Sequence, residues 1–277
     1  MAPIPRFTAT KYLQPLREGG SLPAVLDTDG GLFVTKFRGA GQGPRALIAE
    51  VVVGLLALEL GLPVPEIAEI IVRDGLAAQE RDPEIRELVD GSVGSNIGLR
   101  YLDGAFNYDA RAAGDFMSPD LAAAVVWLDA FTTNPDRTPR NPNLLIWDRR
   151  PWLIDHGSAL YAHHAWDTID DERTRTPFPL IRNHVLLVDA DDLATVDERM
   201  ATILDQGALA RVVGAIPDEL LMDPVARGAF ASADDARDRY LQYLTLRIEA
   251  PRAFASEAAR AQAERRTEKP RRLEVRR

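Results

Sequence analysis

The stretch that most restricts how this chain can fold is residues 118–157. Ser118-Pro119-Asp120 places a good N-cap and a first-turn proline before an apolar run over residues 121–132, which predicts a helix. A polar run follows, Asn134-Pro135-Asp136-Arg137-Thr138-Pro139-Arg140-Asn141-Pro142-Asn143, dense in loop-forming residue types. Two short apolar runs come next, residues 144–147 and 152–155, joined by the polar turn Asp148-Arg149-Arg150-Pro151. Helix, polar loop and hairpin in this order impose a local topology. A hairpin brings its two ends together, so Asn141, ahead of the first strand, and Asp155, ending the second, are predicted to meet at one mouth.

The first third reads as strands and one helix. Residues 8–16, 24–27 and 32–37 are short, partly alternating runs separated by Glu18-Gly19-Gly20-Ser21 and Asp27-Thr28-Asp29-Gly30-Gly31. Glycine supplies the positive φ of tight turns, so these runs predict a three-stranded antiparallel meander. Residues 45–60 predict a helix stopped by Gly61 and Pro63, with apolar residues almost all round and hence buried on most sides. Further strands are expected at 67–72 and 97–102, and helices near 190–204, 208–213 and 233–248. The predicted class is α+β. Residues 1–102 form a small, mostly antiparallel sheet with one helix, and residues 103–251 form a mainly helical part.

Composition removes several function classes. The chain of 277 residues has no cysteine, which excludes disulfides, iron–sulfur clusters, thiolate zinc sites and a cysteine nucleophile. The longest apolar run, residues 48–62, is interrupted by Glu50, Glu59 and Gly61 and falls short of the roughly 20 residues of a membrane span. The opening MAPIPRF has neither a basic start nor an apolar signal core, and these features together read as cytoplasmic. Net charge is −9. Residues 252–277 are nevertheless basic and are expected to be a solvated, flexible tail. The acidic remainder argues against a nucleic-acid-binding face, leaving the tail as the one segment suited to such a contact.

The polar loop has the residue types that phosphoryl transfer from ATP requires. A carboxylate must orient the attacking hydroxyl and accept its proton, and hard oxygen ligands must hold magnesium against the phosphates. Asp136 is the candidate for the first role. Asn141, five residues on, and Asp155 are the candidate magnesium ligands. Asp-x-x-x-x-Asn alone is ordinary loop chemistry; joined to a strand ending Asp155-His156-Gly157 it becomes specific. A second constellation is independent. Lys36 lies in the third run, and Glu50 lies in the apolar helix, where a carboxylate needs a partner. Glu59, nine residues on, falls on the opposite side of that helix. Gly19, Gly20 and Ser21 stand where a glycine loop would cover phosphates, although neither G-x-G-x-x-G nor a Walker motif is present. His163 and His164 are adjacent, so their side chains point apart and make poor metal ligands; a surface role is expected. Asp129, on the preceding helix, either braces the loop or is exposed.

The stretches Trp127 to Arg137 and Asn141, Leu153-Ile154-Asp155-His156-Gly157, Gly19-Gly20-Ser21, Lys36-Phe37 and Glu50 through Pro65 resemble the HipA-like kinase family. The resemblance covers roughly residues 8–190. It implies a two-lobed protein-kinase-like fold, ATP and Mg2+ as cofactors, and transfer to an acceptor hydroxyl, usually of serine or threonine. Lys36 would contact the phosphates with Glu50 placing it. Thr138 stands where the family usually has histidine in Asp-Arg-His. The alternative reading is a nucleotide-binding pseudokinase acting as an interaction module. Autophosphorylation at Ser158, Thr168, Thr174 or Thr176 is a further expectation, these residues lying in a polar segment after Gly157.

Overall fold

The computed structural model describes residues 4–16, 22–109, 116–228 and 230–268. Gly19, Gly20 and Ser21, the expected phosphate-covering loop, lie outside the described residues.

The predicted meander is present as β1 (Arg6–Pro15), β2 (Ala24–Thr28) and β3 (Gly31–Lys36). The β2–β3 turn is only Asp29-Gly30, with Thr28 pairing opposite Gly31. Gly30 is required there because a Cβ would sit 2.4 Å from the Phe7 ring. After α1 (Gly43–Glu59) come β4 (Ile67–Val72), α2 (Pro83–Asp90) and β5 (Gly94–Arg100). The sheet is mostly antiparallel, and it is closed. Strands in the order β1-β2-β3-β5-β4 close into a barrel, sealed by parallel pairing of Arg6 to Thr8 with Glu69 to Ile71. Closure pairs the two strands that would otherwise be edges, β1 and β4, at these three positions. Phe33, Phe37, Ile70 and Val72 fill this small core together with Ile85 and Val89 of α2. The expectation of one helix in this part therefore needs correction. The second is short, and Asp82 caps it by accepting from the Glu84 amide at 3.1 Å.

Helix α1 ends where the sequence indicated. Gly61 has φ +74°. The Leu62 amide donates to the Ala57 carbonyl at 2.9 Å and the Gly61 amide to the Leu58 carbonyl at 3.0 Å, the paired bonds of a Schellman stop. Almost the whole helix from Ala46 to Ala57 is buried.

The remainder is mainly helical. It comprises a three-stranded sheet of β6 (Phe106–Asn107), β7 (Leu144–Trp147) and β8 (Arg150–Leu153), with α3 (Pro119–Phe131), α4 (Asp171–Thr174), α5 (Leu193–Ile203), α6 (Gln206–Gly214), α7 (Asp218–Leu221), α8 (Ala233–Ile248) and α9 (Ala253–Thr267). The β7–β8 turn is two residues, not four. Asp148 and Arg149 have φ +48° and +59°, the conformation that matches strand twist in tight hairpins. Pro151 is accommodated because β8 is an edge strand. The expected tail is also corrected. Residues 253–267 form α9, whose Phe254, Ala255, Ala258 and Ala261 are buried. Phe254 packs against Trp127 and Phe131 with ring centroids 5.4 Å apart. Residues 269–277 lie outside the described residues.

A single apolar core runs from α1 through α3 to α9. Helix α1 thus belongs as much to the helical part as to the barrel. Among the described residues no helix is long and apolar enough to cross a membrane.

Candidate active site

A cleft of about 1130 Å³ lies between the barrel and the β7–β8 hairpin. Its walls include Val34, Lys36, Glu50, Leu99, Tyr108, Asn141, Asn143 and Asp155. Strand β3 delivers Lys36 to it, α1 delivers Glu50, and the segment after β8 delivers Asp155. The Lys36 ammonium makes ion pairs with both Glu50 and Asp155. These three residues are separated by up to 119 positions in sequence, yet they meet at one atom.

The electrostatics of the triad follow from one cation between two carboxylates. Burial alone would discharge Lys36, but the two carboxylates outweigh it and raise its pKa. Asp155 is also penalised by burial, yet Lys36 prevails and its pKa is lowered. Glu50 is the costly member. It is 1% exposed, and burial raises its pKa against the pull of Lys36. Among the described residues, no side chain hydrogen-bonds the second oxygen of Glu50. Asp155 adopts φ +57° and lines the cleft, while His156 next to it is fully buried. Gly157 allows the close approach of α1, since a Cβ there would lie 3.3 Å from Glu50 Oε1. Glu59 lies away from the triad and pairs with Arg211 of α6.

Asp136 does not line the cleft wall itself. Its carboxylate accepts from the side-chain amides of Asn141 at 3.0 Å and Asn143 at 3.2 Å, both of which do line it. Asn143, with φ +49°, was not anticipated from sequence. The structure therefore brings Asp136 and Asn141 together, and places Asn141 and Asp155 on one cleft.

Beneath the loop is a buried polar brace. Asp129 is fully buried and accepts from Arg137 Nε at 2.6 Å, His184 Nε2 at 2.9 Å and Asn134 Nδ2 at 3.0 Å. Burial opposes its charge, but Arg137 and His184 hold its pKa well below the usual carboxylate range. Arg137 also donates to the Asn143 carbonyl and reaches His156 Nδ1 at 3.3 Å. The brace thus ties the loop to both the start of β7 and the turn after β8. His184 Nδ1 accepts from the Leu186 amide at 3.1 Å, so Nε2 carries the proton given to Asp129. Burial keeps this imidazole neutral, lowering its pKa. Burial and nearby Arg137 likewise push His156 down to about 3. Thr138 closes the loop through its backbone. Its amide donates to the Asn141 carbonyl and the Asn141 amide returns a bond to Thr138, each at 3.0 Å.

Two expectations are revised. His163 is not a surface residue: it is buried and lies 3.0 Å from the Tyr240 hydroxyl through Nδ1. Among the candidate phosphorylation sites Thr174 is fully buried, its hydroxyl donating to the Asp170 carbonyl at 2.8 Å.

A sequence model describing HipA-like kinases matches residues 13–247. The chain belongs to the HipA-like kinase family. No curated protein sequence matches this HipA-like kinase. Its structure is similar to that of CtkA, a proinflammatory kinase of Helicobacter pylori, with a TM-score of 0.56 and 12% identity over 96% of this chain and 100% of the other. That likeness shows a kinase-like fold, and with the family match it supports a kinase.

The triad gives a testable expectation for nucleotide binding. Lys36→Met removes the one cation facing both carboxylates while keeping the length of the stem. A charge-assisted hydrogen bond contributes about 1.5–3 kcal/mol. Under the nucleotide-binding reading proposed below, ATP affinity measured by calorimetry is expected to fall about tenfold to a hundredfold, with far-UV circular dichroism unchanged.

Proposed function

We propose that this HipA-like kinase is an ATP- and magnesium-dependent phosphotransferase that moves the γ-phosphate to an acceptor hydroxyl, serine or threonine being the acceptor class the family resemblance implies. The observation that carries this reading is the Lys36 ammonium shared by buried Glu50 and cleft-facing Asp155, across from the loop that pairs Asp136 with Asn141. Residues 1–102 act as the lobe over the phosphates, with Gly19, Gly20 and Ser21 as the covering loop, and residues 103–251 act as the catalytic lobe.

The donor set fits magnesium. Asp155 is kept ionised, its side chain is 40% exposed, and it already holds a cation in the form of Lys36. Asn141 gives its amide N–H to Asp136, leaving its carbonyl oxygen as a hard ligand. Magnesium is commonly held by one or two carboxylates together with substrate phosphates. Asp155 and Asn141 would hold it, and the ion neutralises phosphate charge when bound. Lys36, positioned by Glu50, pairs with phosphate oxygens. Asp136 orients the acceptor hydroxyl and takes its proton as the new O–P bond forms and the bond to the ADP oxygen breaks. The two asparagine amides hold the Asp136 carboxylate in one orientation for this task.

ATP with magnesium is expected to raise the melting temperature, because a ligand that binds only the native state stabilises it. Asp155→Asn should abolish most of the magnesium-dependent part of that rise. A melting temperature indifferent to millimolar ATP and magnesium would overturn the nucleotide-binding reading.

A further inference from the structure

Two residues beyond Lys36, the chain leaves β3 at Arg38, whose guanidinium reaches out of the barrel to the helical part. One nitrogen pairs with Glu219 Oε1 at 2.5 Å and another pairs with Asp223. Arg38 is largely covered, its side chain 14% exposed, and Asp223 is similarly covered at 12%. The same Glu219 oxygen accepts from the Ser95 amide at the start of β5, at 3.0 Å. Space for this is made by Gly94, at φ +104°, where a Cβ would lie 2.1 Å from that oxygen. The Arg38 amide donates to buried Asn96 at 2.8 Å and the Gly39 amide to Ser92 at 3.0 Å. One carboxylate from α7 therefore fastens the end of β3 and the start of β5 together, and these strands are directly paired, Lys36 opposite Ile97.

We propose that Arg38 is a positioning residue for Lys36. Its clasp with Glu219 and Asp223 seats β3 on the helical part and presets the Lys36–Glu50 geometry. This rests on the phosphotransferase reading for its kinetic consequence, but not for its structural one. The physical reason is leverage. Lys36 gains from phosphate contact only if its backbone is already in place, since a misplacement of about 1 Å can cost on the order of a hundredfold in rate. Glu50 is seated by α1, which is packed in the core shared with α3 and the later helices as well as against the barrel. Lys36 lies on the barrel, and Arg38 ties its strand to that same helical body. Charge-assisted pairs to two carboxylates supply direction as well as attraction.

The test compares wild type with Arg38→Gln, Arg38→Lys and Glu219→Gln by kinetics and by amide hydrogen exchange of residues 32–37. Arg38→Gln is expected to lower kcat about tenfold or more, with KM for ATP changed much less, and to speed exchange in that strand. Arg38→Lys, which keeps a charge, should recover part of both. Glu219→Gln should show the same pattern more weakly, and it stands in should Arg38→Gln fail to fold. Wild-type exchange and wild-type kcat in the folded variants would overturn the proposal, and so would faster exchange with kcat unchanged. If the wild type transfers phosphate to no acceptor, the phosphotransferase reading fails while exchange still decides whether the clasp seats β3.

Discussion

Asp136→Asn is expected to reduce phosphoryl transfer by about 10²–10⁴-fold, the range that a positioned general base contributes. The substitution keeps the size of the side chain and removes its charge and basic site. Asp136 is held by Asn141 and Asn143, whereas the Lys36 ammonium hydrogen-bonds Glu50 and Asp155. Affinity for ATP with magnesium should therefore stay close to wild type while turnover collapses. Calorimetric titration alongside a turnover assay separates the possibilities. Loss of magnesium-dependent affinity together with activity would make Asp136 a metal ligand and reverse its division of roles with Asp155. Absence of turnover in both proteins would favour a pseudokinase.

Asp129→Asn is expected to have the largest effect on stability. It leaves the Arg137 guanidinium, itself wholly buried, with no carboxylate partner. Breaking one side of a buried ion pair costs about 3–5 kcal/mol, mostly from the uncompensated charge that remains. The new amide also presents N–H to a site where Arg137, His184 and Asn134 already donate. Urea denaturation measures the loss. Its pH dependence has a defined sign. The folded-state pKa of Asp129 is depressed, so its contribution is fully present above the unfolded carboxylate value of about 4 and is lost as pH falls below it. The stability gap between wild type and variant should be constant near neutrality and narrow in acid. A gap under 1 kcal/mol at neutral pH, on the order of a surface pair, would contradict the brace.

Much of the cleft was legible in the sequence because its signals are local or chemically costly. Residues 134–157 read as loop and hairpin from turn chemistry, and Glu50 stood out because a carboxylate among apolar residues demands a cation. What escaped depends on long-range geometry. Barrel closure requires residues 6–8 to lie beside 69–71, and neither run carries a mark of its partner. His184 reaches Asp129 across 55 positions and His163 reaches Tyr240 across 77; an isolated histidine gives no sign of such a partner. The misreading of α9 was of another kind. Its Phe254, Ala255, Ala258 and Ala261 stripe has helical spacing, but the basic charge of residues 252–277 suggested solvation. Arginines on the outer face of a helix are compatible with a packed inner one.

The central claim is that this cleft transfers the γ-phosphate of ATP. The most direct measurement incubates purified protein with γ-labelled ATP and magnesium, alone and with cell extract, and follows the label by mass spectrometry. Label on an acceptor hydroxyl with wild type, and its absence with Asp136→Asn, is the predicted result. Wild-type protein that binds ATP with magnesium yet moves no label to itself or to any component of the extract would contradict it.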